Sequence, residues 1–154
     1  MNWVFWAIVA AALIHVAEEY WGGFLSLIQE RVPGMTLRQF LIINALFVVL
    51  CVVAAIVRTS GPVLSLSVAS LILINALIHI AATVWLRRYA AGVISAVVLY
   101  IPLGTYAFYQ AGLTPGKAAA AGLLGLLWMA VPLIFQFIRL RGQLPIRRSP
   151  NPKR

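Results

Sequence analysis

Residues 3–19 read WVFWAIVAAALIHVAEE, an apolar run that carries one imidazole and two carboxylates near its end. The run continues to about Ile28, and four more apolar runs follow it. These later runs cover Leu37–Val57, Val63–Leu86, Gly92–Tyr109 and Ala118–Ile138. Each is close to the roughly 20 residues that a transmembrane helix needs. The pattern predicts an all-α, polytopic membrane bundle of about five transmembrane helices.

The composition excludes a soluble globular fold. Of the 154 residues, 63% are hydrophobic and only 10% are charged, whereas a soluble domain carries roughly a quarter charged residues. We expect one transmembrane domain over residues 1–141 and a disordered basic tail over residues 142–154. Within the long first run, Gly22–Gly23 predicts a break or kink.

The charge distribution predicts orientation and excludes one class of partner. The chain has 12 Lys and Arg against three acidic residues, and half of these cations lie in the last sixteen residues. The others stand one or two at a time between apolar runs, which is typical of topology determinants and not of a nucleic-acid surface. Only Arg58 and Lys117 fall on one side of the five-helix topology. The excess of Lys and Arg on the other side predicts that the N-terminus is outside and the C-terminus is cytoplasmic. We expect the protein to lie in the cytoplasmic (inner) membrane, in contact with its lipids.

The fifth run carries small residues and no ionisable group between Ala118 and Ile138. Gly122 and Gly125 permit close helix contact, so this helix is a candidate scaffold or homo-oligomer face. In the fourth run, Pro102 predicts a kink. Tyr100, at mid-depth, could reach a polar pocket between the helices, but it is expected to serve in packing.

Polar chemistry is concentrated in two of the apolar runs. His15, Glu18 and Glu19 stand at i, i+3 and i+4, which places them on one helical face. An ionisable residue at membrane depth costs on the order of 3 kcal/mol, so the three should find partners. Asn75 and His79, at i and i+4 of the third run, complete the histidines of the chain.

The polar residues of the first and third runs are expected to lie at overlapping depths in the membrane. At about 1.5 Å per residue, His79 and Asn75 lie about 12 and 18 Å from the inner end of their run, and Glu19 and His15 about 17 and 23 Å from theirs. We therefore predict one polar pocket in the inner half of the bilayer, with the third membrane helix packed against the first.

Three short segments resemble a known family. Residues 15–19 read HVAEE, an HxxEE motif; residues 75–79 read NALIH, an NAxxH motif; and residues 88–95 read RYAAGVIS, a degenerate RYxPGxxT segment. Over roughly residues 5–110 the chain resembles the HXXEE-domain family of small polytopic prokaryotic membrane proteins. These motifs define the family, so the resemblance implies a fold and a site and supplies no reaction.

Histidine and carboxylate side chains suit iron, zinc or manganese. We predict His15, Glu18, Glu19 and His79 as candidate ligands of a divalent transition metal, and Glu18, Glu19 and Asn75 as candidate catalytic residues. Asn75 is a weaker ligand than these and is expected to orient His79 or a carboxylate. The preferred function is metal-dependent chemistry on a lipid or another hydrophobic small molecule.

Two other interpretations remain open. The same residues could work without a metal, as the proton acceptor and donor of an isomerase-like membrane enzyme. Alternatively, the cluster is not enzymatic, and either holds helices together by hydrogen bonds or translocates ions through its carboxylates.

Overall fold

The computed structural model describes residues 3–31 and 34–143, and within those ranges every regular element is helical. Helices α1 and α2 cover Trp3–Trp21 and Phe24–Gln29. They are followed by α3 (Leu37–Val57), α4 (Pro62–Leu86), α5 (Val93–Ala111) and α6 (Pro115–Gln143). Among the described residues, α1, α3, α4 and α5 are long and apolar enough to cross a membrane. The all-α class is confirmed, and each predicted run contains a helix.

The first run breaks where its two glycines stand. Gly23 has φ 77°, a left-handed conformation that glycine adopts without steric cost. A Cβ on Gly22 would lie 2.4 Å from Cβ of Ala91, so only glycine fits there. The break lets α2 leave the axis of α1 and brings the connection between α4 and α5 against the end of α1.

Local signals set the start of two helices. Thr36 forms a capping box with Gln39: the Gln39 N–H donates to Thr36 Oγ1, and the Thr36 N–H donates to Gln39 Oε1. This pairing satisfies N–H groups that the first turn of α3 leaves free. Pro62 occupies the first turn of α4, where its missing N–H has no consequence.

Helix α5 contains a π-helical turn over Ala96–Tyr100. The Ile101 N–H donates to the carbonyl of Ala96, five residues back. Pro102 follows directly, and a proline ring in a regular helix clashes with the carbonyl four residues earlier, here that of Val98. The wider turn relieves that clash, so the irregularity that Pro102 predicts takes the form of a π-bulge.

Helix α4 lies at the centre and packs against α3, α5 and α6. A Cβ on Gly104 of α5 would lie 2.7 Å from Leu73, and a Cβ on Gly125 of α6 would lie 2.4 Å from Ser70. Both glycines therefore allow close approach to α4. Gly125 acts within the chain itself, while Gly122 has no neighbour within 4 Å of an added Cβ.

Helix α1 packs chiefly against α3 and α5. The predicted contact of α1 with α4, the third apolar run, is made by side chains: His15 and Glu19 of α1 meet His79 of α4, while the two helix backbones are not closely packed. The start of α5 fills the space between them, since it contacts both helices.

The predicted tail begins at Gly142, and α6 continues to Gln143. Residues 144–154, for which disorder is predicted, lie outside the described part of the chain.

Candidate metal centre

Three side chains from two helices meet in a buried cluster. His15 and Glu19 come from α1 and His79 comes from α4, with one potential ligand atom of each within 4.8 Å of the others. The three residues are 1%, 4% and 1% exposed. Oε1 of Glu19 lies 3.4 Å from Nε2 of His15 and 3.1 Å from Nε2 of His79. The structure therefore joins the HxxEE and NAxxH motifs in one site.

The ring of His15 is oriented by Ser95. Nδ1 of His15 lies 2.9 Å from Ser95 Oγ, and the same hydroxyl donates to the carbonyl of Gly92 at 3.2 Å. When the Ser95 hydroxyl gives its one proton to Gly92, it accepts a hydrogen bond from Nδ1–H of His15. We therefore assign the lone pair of a neutral His15 to Nε2, the atom that faces Glu19.

The ring of His79 is fixed by neighbouring rings. It lies edge-on to His15, with centroids 4.8 Å apart and planes at 90°. Phe24 of α2 packs on it with a centroid distance of 4.5 Å. Its Nδ1 is buried and has no hydrogen-bond partner among the described residues. The break at Gly22–Gly23 thus has a role at the site, because it brings Phe24 onto this imidazole.

Gly92 forms the floor beneath both imidazoles. A Cβ there would lie 2.6 Å from Cε1 of His79 and 2.8 Å from Cε1 of His15. Gly92 also has φ 101°, a conformation that other residues rarely adopt. The glycine of the RYAAGVIS segment is therefore required both by its backbone conformation and by the space that the two rings occupy.

Glu18 is held in a different environment from its neighbour Glu19. Its Oε1 accepts from the Tyr89 hydroxyl at 2.6 Å and from the N–H groups of Gly92 and Ile94 at 2.9 and 3.1 Å. Its Oε2 accepts from the Ser95 N–H at 2.8 Å. These N–H groups belong to the first turn of α5, where a helix leaves its donors free and attracts negative charge. Glu18 thus fixes the start of α5 against α1.

Two contacts of the connection between α4 and α5 lie outside the membrane-length segments. Burial and the hydrogen bond to Glu18 raise the pKa of Tyr89 to about 12. The exposed Arg88 forms an ion pair with Glu30, and this contact lowers the pKa of the Glu30 carboxyl. Exposed ion pairs contribute little stability, so we regard the Glu18 contacts as the main attachment of this connection.

Asn75 faces a cavity next to the cluster. The cavity has a volume of about 860 Å³, and both His15 and Asn75 line it. Asn44 of α3 lines the same space. Oδ1 of Asn75 is buried and has no hydrogen-bond partner in the described ranges. Asn75 therefore lies where it can meet a molecule in the cavity.

Tyr100 is a site residue that sequence reasoning assigned to packing. It is 0% exposed, its ring lies 4.5 Å from that of His15, and its hydroxyl has no partner among the described residues. The π-helical turn shifts the register of α5 just before Pro102. Pro102 was the available signal, but regular helical spacing does not give the direction of a side chain within such a turn.

The fold and the cluster define an all-helical protein with membrane-length apolar helices and a buried His–Glu–His group that could hold a metal ion. The chain belongs to the family described as proteins of unknown function with an HXXEE motif, whose sequence model matches residues 6–107. The resemblance seen in the motifs is thereby confirmed. No curated protein and no solved structure matches the chain.

Proposed function

We propose that the protein is a five-span membrane protein that binds one divalent transition metal ion, iron, zinc or manganese, through His15, Glu19 and His79. The ion serves chemistry on a lipid or another hydrophobic small molecule that enters the adjacent cavity. The HXXEE motif, on this proposal, contributes two ligands and one positioning carboxylate.

One observation carries the proposal: Nε2 of His15 and Nε2 of His79 both lie within 3.4 Å of one carboxylate oxygen, Oε1 of Glu19, and all three residues are buried. With Nδ1–H donated to Ser95, Nε2 of His15 directs its lone pair toward Glu19 Oε1 at 3.4 Å. Nε2 has no hydrogen-bond partner among the described residues. Two electron-rich atoms at this distance repel each other in a low-dielectric interior unless a cation or a proton lies between them. A metal ion satisfies both atoms at once.

The ligand spacing supports the same conclusion. Ligands that bind zinc at 2.0–2.2 Å with tetrahedral angles lie roughly 3.3 Å apart. The distances from Glu19 Oε1 to the two Nε2 atoms are 3.4 and 3.1 Å. Three protein ligands also leave a coordination position free, which is the arrangement of catalytic metal sites.

The surrounding residues have distinct roles in this proposal. Ser95 orients His15, as hydrogen-bond acceptors commonly do for metal-binding histidines. Glu18 supplies a second negative charge close to a divalent ion and positions Ser95 through its hydrogen bond to the backbone N–H. Tyr100 packs its ring on that of His15. Asn75 carries an unpartnered polar atom at the cavity and can bind a polar group of the substrate. The ion itself would act as a Lewis acid toward such a group.

We further propose that α6 supplies the fifth span, with the N-terminus outside and the tail cytoplasmic. The two-to-ten division of Arg and Lys between the sides supports this orientation and a location in the cytoplasmic membrane. The exposed side of α6, where Gly122 has open space, is the candidate homo-oligomer face.

Metal analysis of the purified protein tests the proposal. The chain is expressed without a metal-affinity tag, purified in detergent and analysed by inductively coupled plasma mass spectrometry. We expect about one iron, zinc or manganese ion per chain, and loss of that ion in Glu19→Gln. Absence of metal after incubation of the folded protein with Fe²⁺, Zn²⁺ and Mn²⁺ would overturn it.

The contact between His79 and Glu19 favours a second candidate. At 3.1 Å, Nε2–H of His79 can donate to Oε1 of Glu19, giving a buried acid–base pair next to a substrate cavity. In that case the site moves a proton on a hydrophobic substrate without a metal. A folded, metal-free protein whose activity is lost in both Glu19→Gln and His79→Gln would support this second function.

A further inference from the structure

Helices α3 and α6 both pack against α4 and leave a gap between them. The cavity of about 860 Å³ occupies this gap. Its walls are mostly apolar side chains, several of them exposed, including Leu46, Val49, Val53 and Val131. In a bilayer such a gap faces lipid, so a hydrophobic molecule can enter from the side.

The polar groups of the cavity lie at two levels. Thr36, Arg38 and Gln39 stand at the end where α3 begins. Arg38 is exposed and forms no ion pair with any residue that the structure describes. Asn44 lies six residues further along α3, about 9 Å deeper at 1.5 Å per residue. Asn75 and His15 line the cavity as well.

We propose that this cavity binds a single-chain amphiphile whose anionic head group pairs with Arg38. The part of its chain about 9 Å from the head then lies at the level of Asn44, in the same cavity as His15. That the segment of the chain beside His15 is the one that reacts rests on the proposed function. The binding itself does not.

The shape of the cavity favours one chain. From Arg38 to Val53, the lining residues of α3 span about 22 Å along the helix, the order of length of a long acyl or isoprenoid chain. The volume of about 860 Å³ lies within the range of small-molecule sites, which is roughly 300–1,000 Å³.

Charge and hydrogen bonding favour an anionic head and a polar group within the chain. A guanidinium pairs with a carboxylate or a phosphate through two parallel hydrogen bonds, and Arg38 is free to do so at the polar end of the cavity. Deeper in, the unpartnered Oδ1 of Asn75 is an acceptor and requires a donor. A hydroxyl on the chain segment that reaches Asn75 would supply it.

Trp128 provides a direct probe, because it lines the cavity and its Nε1–H donates to Ser67 Oγ at 3.1 Å. In a variant with Trp3, Trp6, Trp21 and Trp85 changed to Phe, brominated single-chain fatty acids and alkyl phosphates are titrated in nanodiscs. We expect saturable quenching of Trp128 fluorescence by the brominated chains with either anionic head group, carboxylate or phosphate. Brominated alcohols of equal chain length should bind about tenfold to a hundredfold more weakly.

Arg38→Gln and Arg87→Gln form a matched pair, since both remove an exposed cation near the same end of the bundle. Arg38→Gln should weaken binding of the anionic chains to the level of the alcohol. Arg87→Gln should leave it unchanged. Preference for the carboxylate or the phosphate identifies which anionic head is bound. Equal binding of charged and uncharged chains, or quenching by brominated two-chain phosphatidylglycerol alone, would overturn the proposal.

Photo-crosslinking in the unaltered chain gives a second measurement if the single-tryptophan variant does not fold. A diazirine fatty acid should attach to peptides from α3, α4 or α6, which line the cavity, in competition with unlabelled fatty acid. Attachment confined to other parts of the chain would count against the proposal. Metal content is measured on the same samples. Saturable binding of the chain to a protein that holds no metal would retain this inference and reject the proposed function. Bound metal without saturable chain binding would retain the proposed function and reject this inference.

Discussion

Nε2 of His79 lies 3.1 Å from Oε1 of Glu19, while the carboxylate of the preceding residue, Glu18, is hydrogen-bonded to the start of α5. Adjacent residues on a helix are rotated by about 100° relative to each other, so two consecutive carboxylates can serve two sites. Glu19 joins α1 to α4, and Glu18 joins α1 to α5. The paired glutamates therefore hold three helices around one buried cluster.

Glu19→Gln and Glu18→Gln should affect metal binding to different degrees. We expect Glu19→Gln to abolish it, because the variant loses the only carboxylate in the His–Glu–His cluster. Glu18→Gln should bind metal about 10–100-fold more weakly, as is typical when a residue that supports a ligand is removed. Equilibrium titration with a competing chelator measures both. A similar loss of metal affinity in the two variants would contradict this division of roles.

Gly92→Ala should disrupt the cluster by steric overlap. Its Cβ would lie 2.6 Å from His79 and 2.8 Å from His15. Gly34→Ala is the matched control, because Gly34 has a similar φ of 92° and no atom within 4 Å of an added Cβ. We expect Gly34→Ala to cost about 1–2 kcal/mol of stability from strain alone and to retain metal. Gly92→Ala should lose metal, and equal metal binding by the two variants would exclude the overlap.

Tyr100→Phe should leave the stability of the ligand-free protein unchanged or raise it. The hydroxyl is buried and unpartnered in the described part of the chain, and burying such a group costs about 1–3 kcal/mol. Thermal unfolding in detergent measures the stability of the ligand-free variant. A clear loss of stability would indicate that the hydroxyl has a structural partner.

The stability that the Tyr89 hydroxyl contributes by its hydrogen bond to Glu18 should be lost at high pH. Its folded-state pKa is raised to about 12 from an ordinary value of about 10. The contribution of its hydroxyl is therefore complete below pH about 10 and is lost as the pH rises toward 12. Tyr89→Phe should cost about 1 kcal/mol or less, since the residue is half exposed. This deficit should shrink above pH 10 when unfolding is measured across that pH range.

Membrane orientation can be tested with single cysteines in a Cys51→Ala background. Ser60 and Arg87 stand in exposed connections at the two ends of α4. A membrane-impermeant maleimide added to intact cells should label Ser60→Cys but not Arg87→Cys. Inverted vesicles should give the opposite result. Labelling in the reverse sense would place the N-terminus inside.

The helices and the identity of the cluster could be predicted from the sequence. Apolar runs of membrane length leave the backbone one way to satisfy its polar groups, namely within each helix. The i, i+4 spacing of His15 with Glu19 and of Asn75 with His79 predicts shared faces. The cost of burying ionisable groups predicts that these faces meet. The 4.8 Å between the rings of His15 and His79 follows that expectation.

The tertiary structure alone decided which glutamate joins the cluster, where Tyr100 points and where a substrate can enter. The helical pattern places Glu18 and Glu19 on one broad face, and only the position of α5 separates them. Tyr100 depends on a π-helical turn that changes the register locally. The gap between α3 and α6 arises because both pack on the small residues of α4 and not on each other. Such non-local packing has no periodic signal in the sequence, because it depends on how whole helices fit together.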